Sequence, residues 1–129
     1  MMSSQNIKPT ESELEILRIL WERGPSTVRE VHEQLVKTKE SGYTTTLKLM
    51  QIMYEKGLVK RDDTNRSHIY EAGVSQEKTR KMMTDKLIRT LFQGSSSKLV
   101  MQALGHHKVS KEELAAIRKY LEEMEKSGK

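Results

Sequence analysis

The feature that most constrains this chain is a change of period near residue 57, where three short capped helical runs give way to two short β-like runs. Thr10 and Glu13 have the spacing of a capping box, each side chain serving the other's free backbone N–H. Leu14, Leu17, Leu20 and Trp21 then recur at helical spacing and make one apolar face. Gly24-Pro25 ends that run, because glycine accepts a left-handed cap and proline cannot continue a helix. Thr27 and Glu30 repeat the capping signal, with Val28, Val31 and Leu35 as the buried stripe. The polar stretch from Lys37 to Gly42 reads as a loop. A third helix is expected from about Thr44 to Lys56, capped by Gly57, with Thr46, Leu49, Met50 and Met53 on its inner face. Leu58–Arg61 and Ser67–Tyr70 read as strands, and Asp62-Asp63-Thr64-Asn65 supplies the turn chemistry between them. Three helices followed by a hairpin form the order of a winged helix-turn-helix, a mainly α fold with a small β-wing.

The remainder reads as helical. Ser75 can cap a helix reaching about Gln93, with Met83, Leu87, Ile88, Leu91 and Phe92 apolar, and Gly94-Ser95-Ser96-Ser97 breaks it. A short helix follows, carrying Leu99, Val100, Ala103 and Leu104. Ser110 and Glu113 have the capping-box spacing again. Behind them Leu114, Ile117, Leu121 and Met124 are spaced 3, 4 and 3 apart, as in a coiled-coil seam. With 129 residues and 35% hydrophobic content, a single copy encloses little core. The expectation is therefore a winged-helix domain over 1–74 and a helical dimerisation domain over 75–129. Its interface would be built from Leu87, Leu91, Phe92, Leu99, Val100, Leu104, Leu114, Ile117, Leu121 and Met124. The other reading is a helical hairpin that folds back on the first half.

Charge matters through its placement. The net charge is +5, yet residues 1–74 hold equal numbers of acids and bases, so the whole excess lies in 75–129. Within the first half, Ser41 to Tyr54 contains no acid, whereas the first helix carries Glu11, Glu13, Glu15 and Glu22. An acid-free helix start is what close approach to a phosphate backbone needs, since free N–H groups and the dipole there favour anions. Thr44 and Thr45 are short, with hydroxyls for the backbone and methyls for thymine. Lys48, one turn on, reaches a base edge or a phosphate, and Gln51 can pair with adenine if it faces the groove. Lys60, Arg61 and Arg66 would grip phosphates from the hairpin, although Asp62 and Asp63 cancel part of that charge. The alternative for each residue is a solvated polar surface.

Other function classes fare worse. There is no cysteine, which excludes disulfides, thiolate metal sites and cysteine nucleophiles. No apolar run approaches the roughly 18 residues of a membrane-spanning helix. The opening Met1-Met2-Ser3-Ser4-Gln5-Asn6 lacks the basic and apolar regions of a signal peptide, so a cytoplasmic protein is expected. His106-His107 are adjacent and cannot readily chelate one ion from a helix face, and His32 and His68 lie far away in sequence, so neither metal nor cofactor is expected. No phosphate-binding glycine loop, nucleophile elbow or zinc-helix motif occurs, so no catalytic residue is assigned. The rival of a different class is a winged helix used as a protein-interaction module without DNA binding.

Several motifs in order carry a specific resemblance. They are Pro9-Thr10-Glu11-Ser12-Glu13-Leu14-Glu15-Ile16-Leu17, Gly24-Pro25-Ser26-Thr27-Val28-Arg29-Glu30-Val31-His32-Glu33, Tyr43-Thr44-Thr45-Thr46-Leu47, Glu55-Lys56-Gly57-Leu58-Val59 and Phe92-Gln93-Gly94-Ser95. Over nearly its whole length the chain resembles the penicillinase and methicillin-resistance repressor family. That resemblance implies an N-terminal winged helix, a C-terminal dimerisation domain, and repression of resistance or stress genes through an inverted-repeat operator on double-stranded DNA. On that mapping Thr44, Thr45 and Lys48 lie on the recognition helix, and Arg61 and Arg66 on the wing. With Thr27, Tyr43, Leu47, Gln51 and Lys60 they make the expected DNA-contacting set. Thr46 stands where the family has an apolar residue, and Ile52 where an arginine is common. The family also implies a sensor-protease pathway that inactivates the repressor at an Asn-Phe bond, and the matching position here is Gln102-Ala103. The copper-responsive branch, with its cysteine-rich tail, does not fit a chain without cysteine.

Overall fold

A computed structural model describes residues 8–128, and the Met1–Asn6 stretch read for a leader lies outside them. The elements run α1 (Glu11–Arg23), α2 (Val28–Leu35), α3 (Tyr43–Lys56), β1 (Val59–Asp62), β2 (Ile69–Ala72), α4 (Gln76–Leu91), α5 (Ser96–His106) and α6 (Lys111–Ser127). This is the expected winged helix followed by helices. The chain divides into two compact units after Lys86, within α4.

In the first unit the local signals act as read. Thr10 Oγ1 accepts the Glu13 N–H at 3.2 Å while Glu13 Oε1 accepts the Thr10 N–H at 2.9 Å. Thr27 and Glu30 form the same reciprocal pair at 3.1 and 2.9 Å. Gly57 closes α3 in the left-handed region, φ 84° and ψ 9°. Gly24 closes α1 with a positive φ of 86° but ψ of −164°, which lies outside the left-handed helical basin expected for it. β1 and β2 pair antiparallel from Val59↔Ala72 to Asp62↔Ile69, so the strands sit one or two residues later than the sequence pattern indicates. Ser26 adds an isolated bridge to Tyr70, with both backbone bonds at 2.8 Å. A single bridging residue has no periodicity and leaves no sequence signal.

The core of this unit is Ile16, Leu17, Leu20, Val28, Val31, Leu35, Met50, Met53, Leu58, Val59 and Tyr70. Ile16, absent from the expected α1 stripe, is fully buried, while Leu14 and Trp21 are only partly so. The reason is that α1 is packed by α2, α3 and β2 together, which widens its buried face. Leu49 is likewise only partly buried, and the inner face of α3 is Thr46, Met50 and Met53. Two polar contacts fix the frame. Buried Glu13 receives Lys56 Nζ at 2.7 Å, tying α1 to the end of α3. Burial opposes the Glu13 charge, but the bonds from Lys56 and Thr10 prevail and hold its pKa below the ordinary value. Trp21 Nε1–H donates to the Val74 carbonyl at 2.9 Å, anchoring the chain where it leaves the wing for α4. Gly73, just before, lies where a Cβ would meet the Gly57 and Leu58 carbonyl oxygens at 3.0 and 3.2 Å, so any side chain there requires that backbone to give by a few tenths of an ångström.

The second unit holds the last turns of α4, then α5 and α6. Gln93 (φ 50°) and Gly94 (φ 82°) break α4 from α5. Ser95 Oγ accepts the Lys98 N–H at 3.2 Å, and Ser110 Oγ accepts the Glu113 N–H at 3.0 Å. The expected third capping box is therefore only half formed, since no bond returns from Glu113 to Ser110. Both residues are exposed, and water competes for that return bond. No described residue of α5 or α6 is buried.

Candidate nucleic-acid interface

α3 carries two faces. Thr46, Met50 and Met53 point into the core, while Tyr43, Thr44, Thr45, Lys48 and Gln51 are exposed. Its N-cap is Gly42, which supplies no side-chain acceptor, so the first-turn N–H groups have no side-chain cap. Tyr43, Leu47 and Gln51, at successive turns, form one wall of a cleft of about 410 Å³. Thr27, Val28 and Arg29 at the start of α2 form a second wall, and Arg66, Ser67, His68 and Tyr70 of the wing a third. Among the described residues no carboxylate lines this cleft. Five of the expected contact residues are thus brought together, namely Thr27, Tyr43, Leu47, Gln51 and Arg66. Thr44, Thr45 and Lys48 stand exposed on the same helix outside the cleft, and Lys60 is exposed on β1.

The start of α3 is positioned from α2. Arg29 lies over the Tyr43 ring at 5.5 Å, and His32 meets the same ring edge-on at 5.5 Å. His32 Nδ1 also lies 2.9 Å from Thr46 Oγ1. This pairing satisfies the Thr46 hydroxyl at a buried position. Among the described residues no buried side-chain polar atom lacks a partner. Thr27 caps α2, and its backbone N–H holds Glu30 below its ordinary pKa, with a contribution from Arg23 at 3.0 Å.

Arg61 is held by one of the two acids expected to cancel part of the wing's charge. Its Nε and Nη2 bond Asp63 at 2.6 and 3.3 Å, and its guanidinium stacks 4.1 Å from the Tyr54 ring centre on α3. Asp63, and then the Tyr70 hydroxyl, raise its pKa above an already high ordinary value. Asp63 Oδ1 also lies 3.4 Å from His68 Nδ1. Asp62 instead accepts the Thr64 N–H at 2.9 Å and the Thr64 hydroxyl at 2.7 Å, which lowers its pKa. Arg29, His32, Tyr54, Ser67 and His68 were not expected at the site. Tyr54 had a legible signal, lying one turn beyond Gln51 on the same helix.

In the second unit the expected interface residues stand largely uncovered. Leu87, Leu91, Val100, Leu114, Leu121 and Met124 are exposed, and Phe92, Leu99, Leu104 and Ile117 are half-buried. Met101 and Tyr120, 71% and 63% exposed, belong to the same apolar surface class and were not in the expected set. Gln102 and Ala103 are exposed within the helical stretch of α5. Among the described residues no three His, Asp or Glu side chains gather as a metal would require, and no helix is long and apolar enough to cross a membrane.

Comparison with known proteins agrees with this geometry. A family model described as penicillinase repressor matches residues 9–123. The transcriptional regulator BlaI of Mycobacterium tuberculosis is 31% identical over 109 residues, covering 82% of this chain and 77% of that protein. The penicillinase repressor of Staphylococcus aureus is 18% identical over 125 residues, covering 97% of this chain and 99% of that one. The solution structure of the DNA-binding domain of the repressor BlaI shares the fold, with a TM-score of 0.51 at 20% identity over 60% of this chain and 93% of that domain.

Proposed function

This chain belongs to the penicillinase repressor family, and on that premise we propose that it represses transcription by binding an inverted-repeat DNA operator as a homodimer. The observation that carries the reading is the acid-free run of α3 from Tyr43 to Tyr54, with Glu55 the one acid in its last turn, flanked by a cleft with Arg29 and Arg66 in its walls. Thr44, Thr45, Lys48 and Gln51 read base edges and phosphates from α3, while Thr27 and Tyr43 seat the helix start and Leu47 meets bases through apolar contact. Lys60, Arg61 and Arg66 hold phosphates from the wing. Residues 1–74 are the DNA-binding domain in this reading and 75–129 the dimerisation domain.

The dimer is supported by the second unit itself, whose helices α5 and α6 hold no fully buried residue in one copy. Apolar surface of that kind is covered by a partner in stable proteins. Two copies present two recognition helices to successive major-groove faces, as dimeric helix-turn-helix proteins do. The repressor occludes a promoter of resistance or stress genes in the cytoplasm, and weakening the dimer derepresses it. A sensor protease acting at Gln102-Ala103 would first have to unwind α5, since both residues lie inside it.

The test is binding to a panel of short inverted-repeat duplexes and a scrambled control across a salt series. The reading expects sequence-selective binding that weakens steeply as salt rises. Equal affinity for every duplex would reduce it to nonspecific attraction, and no binding at low salt would favour the protein-interaction module.

A further inference from the structure

We propose that Asp63 is a built-in competitor for the wing's phosphate-binding arginine: it holds Arg61 in the free protein and gives it up to a DNA phosphate when the wing seats. The inference rests on the operator-binding reading above. Arg61 meets Asp63 through two prongs, at 2.6 and 3.3 Å, the same fork that a guanidinium offers to a phosphate. The Tyr54 ring, 4.1 Å away, supports the flat face of the guanidinium, so only its edge has to change partners. Asp63 is half exposed, while the Arg61 side chain is 21% exposed and also held by the Tyr70 hydroxyl, so the exchange trades the Asp63 contact alone for the dense charge of a duplex. Nor is the carboxylate stranded once Arg61 leaves, because half of its side chain is open to water. The pair therefore sets how tightly the protein grips DNA and leaves the choice of sequence to α3.

Asp62 provides an internal control. It is one residue away with the same charge, but its bonds go to Thr64 and not to Arg61. The experiment measures affinity for an operator duplex and a scrambled duplex, across salt, using the full chain. The variants are Asp63→Asn, Asp63→Ser, Asp62→Asn, Arg61→Ala and the double variant Arg61→Ala with Asp63→Asn. Both Asp63 variants should bind the operator roughly two- to fivefold more tightly, a gain larger than that of Asp62→Asn. The dependence of log affinity on log salt should steepen by about one per protomer, as Arg61 enters the complex without an internal counterion to exchange. On the Arg61→Ala background the gain should vanish. A gain matched by Asp62→Asn, or one that survives on Arg61→Ala, would mean that only long-range charge is at work. Unchanged or weaker binding by both Asp63 variants would make Asp63 a strut of the wing. Either result overturns the exchange while leaving the operator reading intact. If the wild-type chain binds no DNA, the operator reading falls, and this inference with it.

Discussion

Lys48 is the residue on which the DNA-binding reading leans most simply, because it is exposed on α3 and has no ion-pair partner among the described residues. Lys48→Ala should weaken operator binding by about tenfold and flatten the salt dependence, with the dimer unchanged by sedimentation. Glu13 makes a prediction about stability instead. Its folded pKa lies below its ordinary value of 4.5, so its ionised form stabilises the fold above that pH. The contribution is lost as pH falls below 4.5 through the folded pKa. Glu13→Gln should cost about 2 kcal/mol at pH 7, and thermal unfolding should show the gap closing in acid. A gap that is constant from neutral pH to acid would contradict the ion pair. At this scale the exposed residues of α3 were legible, because helical spacing alone separates Thr44, Thr45, Lys48 and Gln51 from the inner face. The capture of Arg61 was legible only in part. The nearby Asp62 and Asp63 signalled partial cancellation of the wing's charge, but which of the two takes Arg61, and its seat over Tyr54, depend on the strand register and the packing of α3.

At the scale of elements, the caps were the most readable part of the chain. Thr10 and Thr27 form both halves of their boxes, whereas Ser110 forms one. Glu30→Ala, which removes the bond to the Thr27 N–H, should therefore lower stability by about 1 kcal/mol, and Glu113→Ala by less, in thermal unfolding followed by circular dichroism. Equal losses would mean that the returning Glu30 bond adds nothing. The joint between wing and α4 was less readable, since Gly73 looks like any turn glycine in sequence. Its backbone runs against Gly57 and Leu58, and its N–H donates to the Leu58 carbonyl at 2.8 Å. Gly73→Ala should destabilise by about 1–2 kcal/mol because the atoms it meets are backbone and yield little. A neutral substitution would show that the approach relaxes. The Ser26–Tyr70 bridge depends on a partner outside the local window, whereas the one-sided Ser110 cap follows from the exposure of Ser110 and Glu113 to water.

For the whole molecule, the second unit is the part whose helices α5 and α6 contain no buried residue among those described. Its apolar residues recur at seam spacing, which the sequence displayed, but a spacing does not reveal that Met101 and Tyr120 join them on the surface. Leu121, 52% exposed, tests the consequence. Leu121→Asp should disrupt the dimer and with it operator affinity, and an intact dimer in sedimentation would refute that interface. The account as a whole requires that the two copies act together on one operator. The most direct measurement is the mass of the complex formed on a single inverted-repeat duplex, set beside its affinity for a half-site of the same length. Two chains per duplex, with the half-site bound far more weakly, is the predicted result. One chain per duplex, or equal affinity for half-site and full repeat, would contradict it.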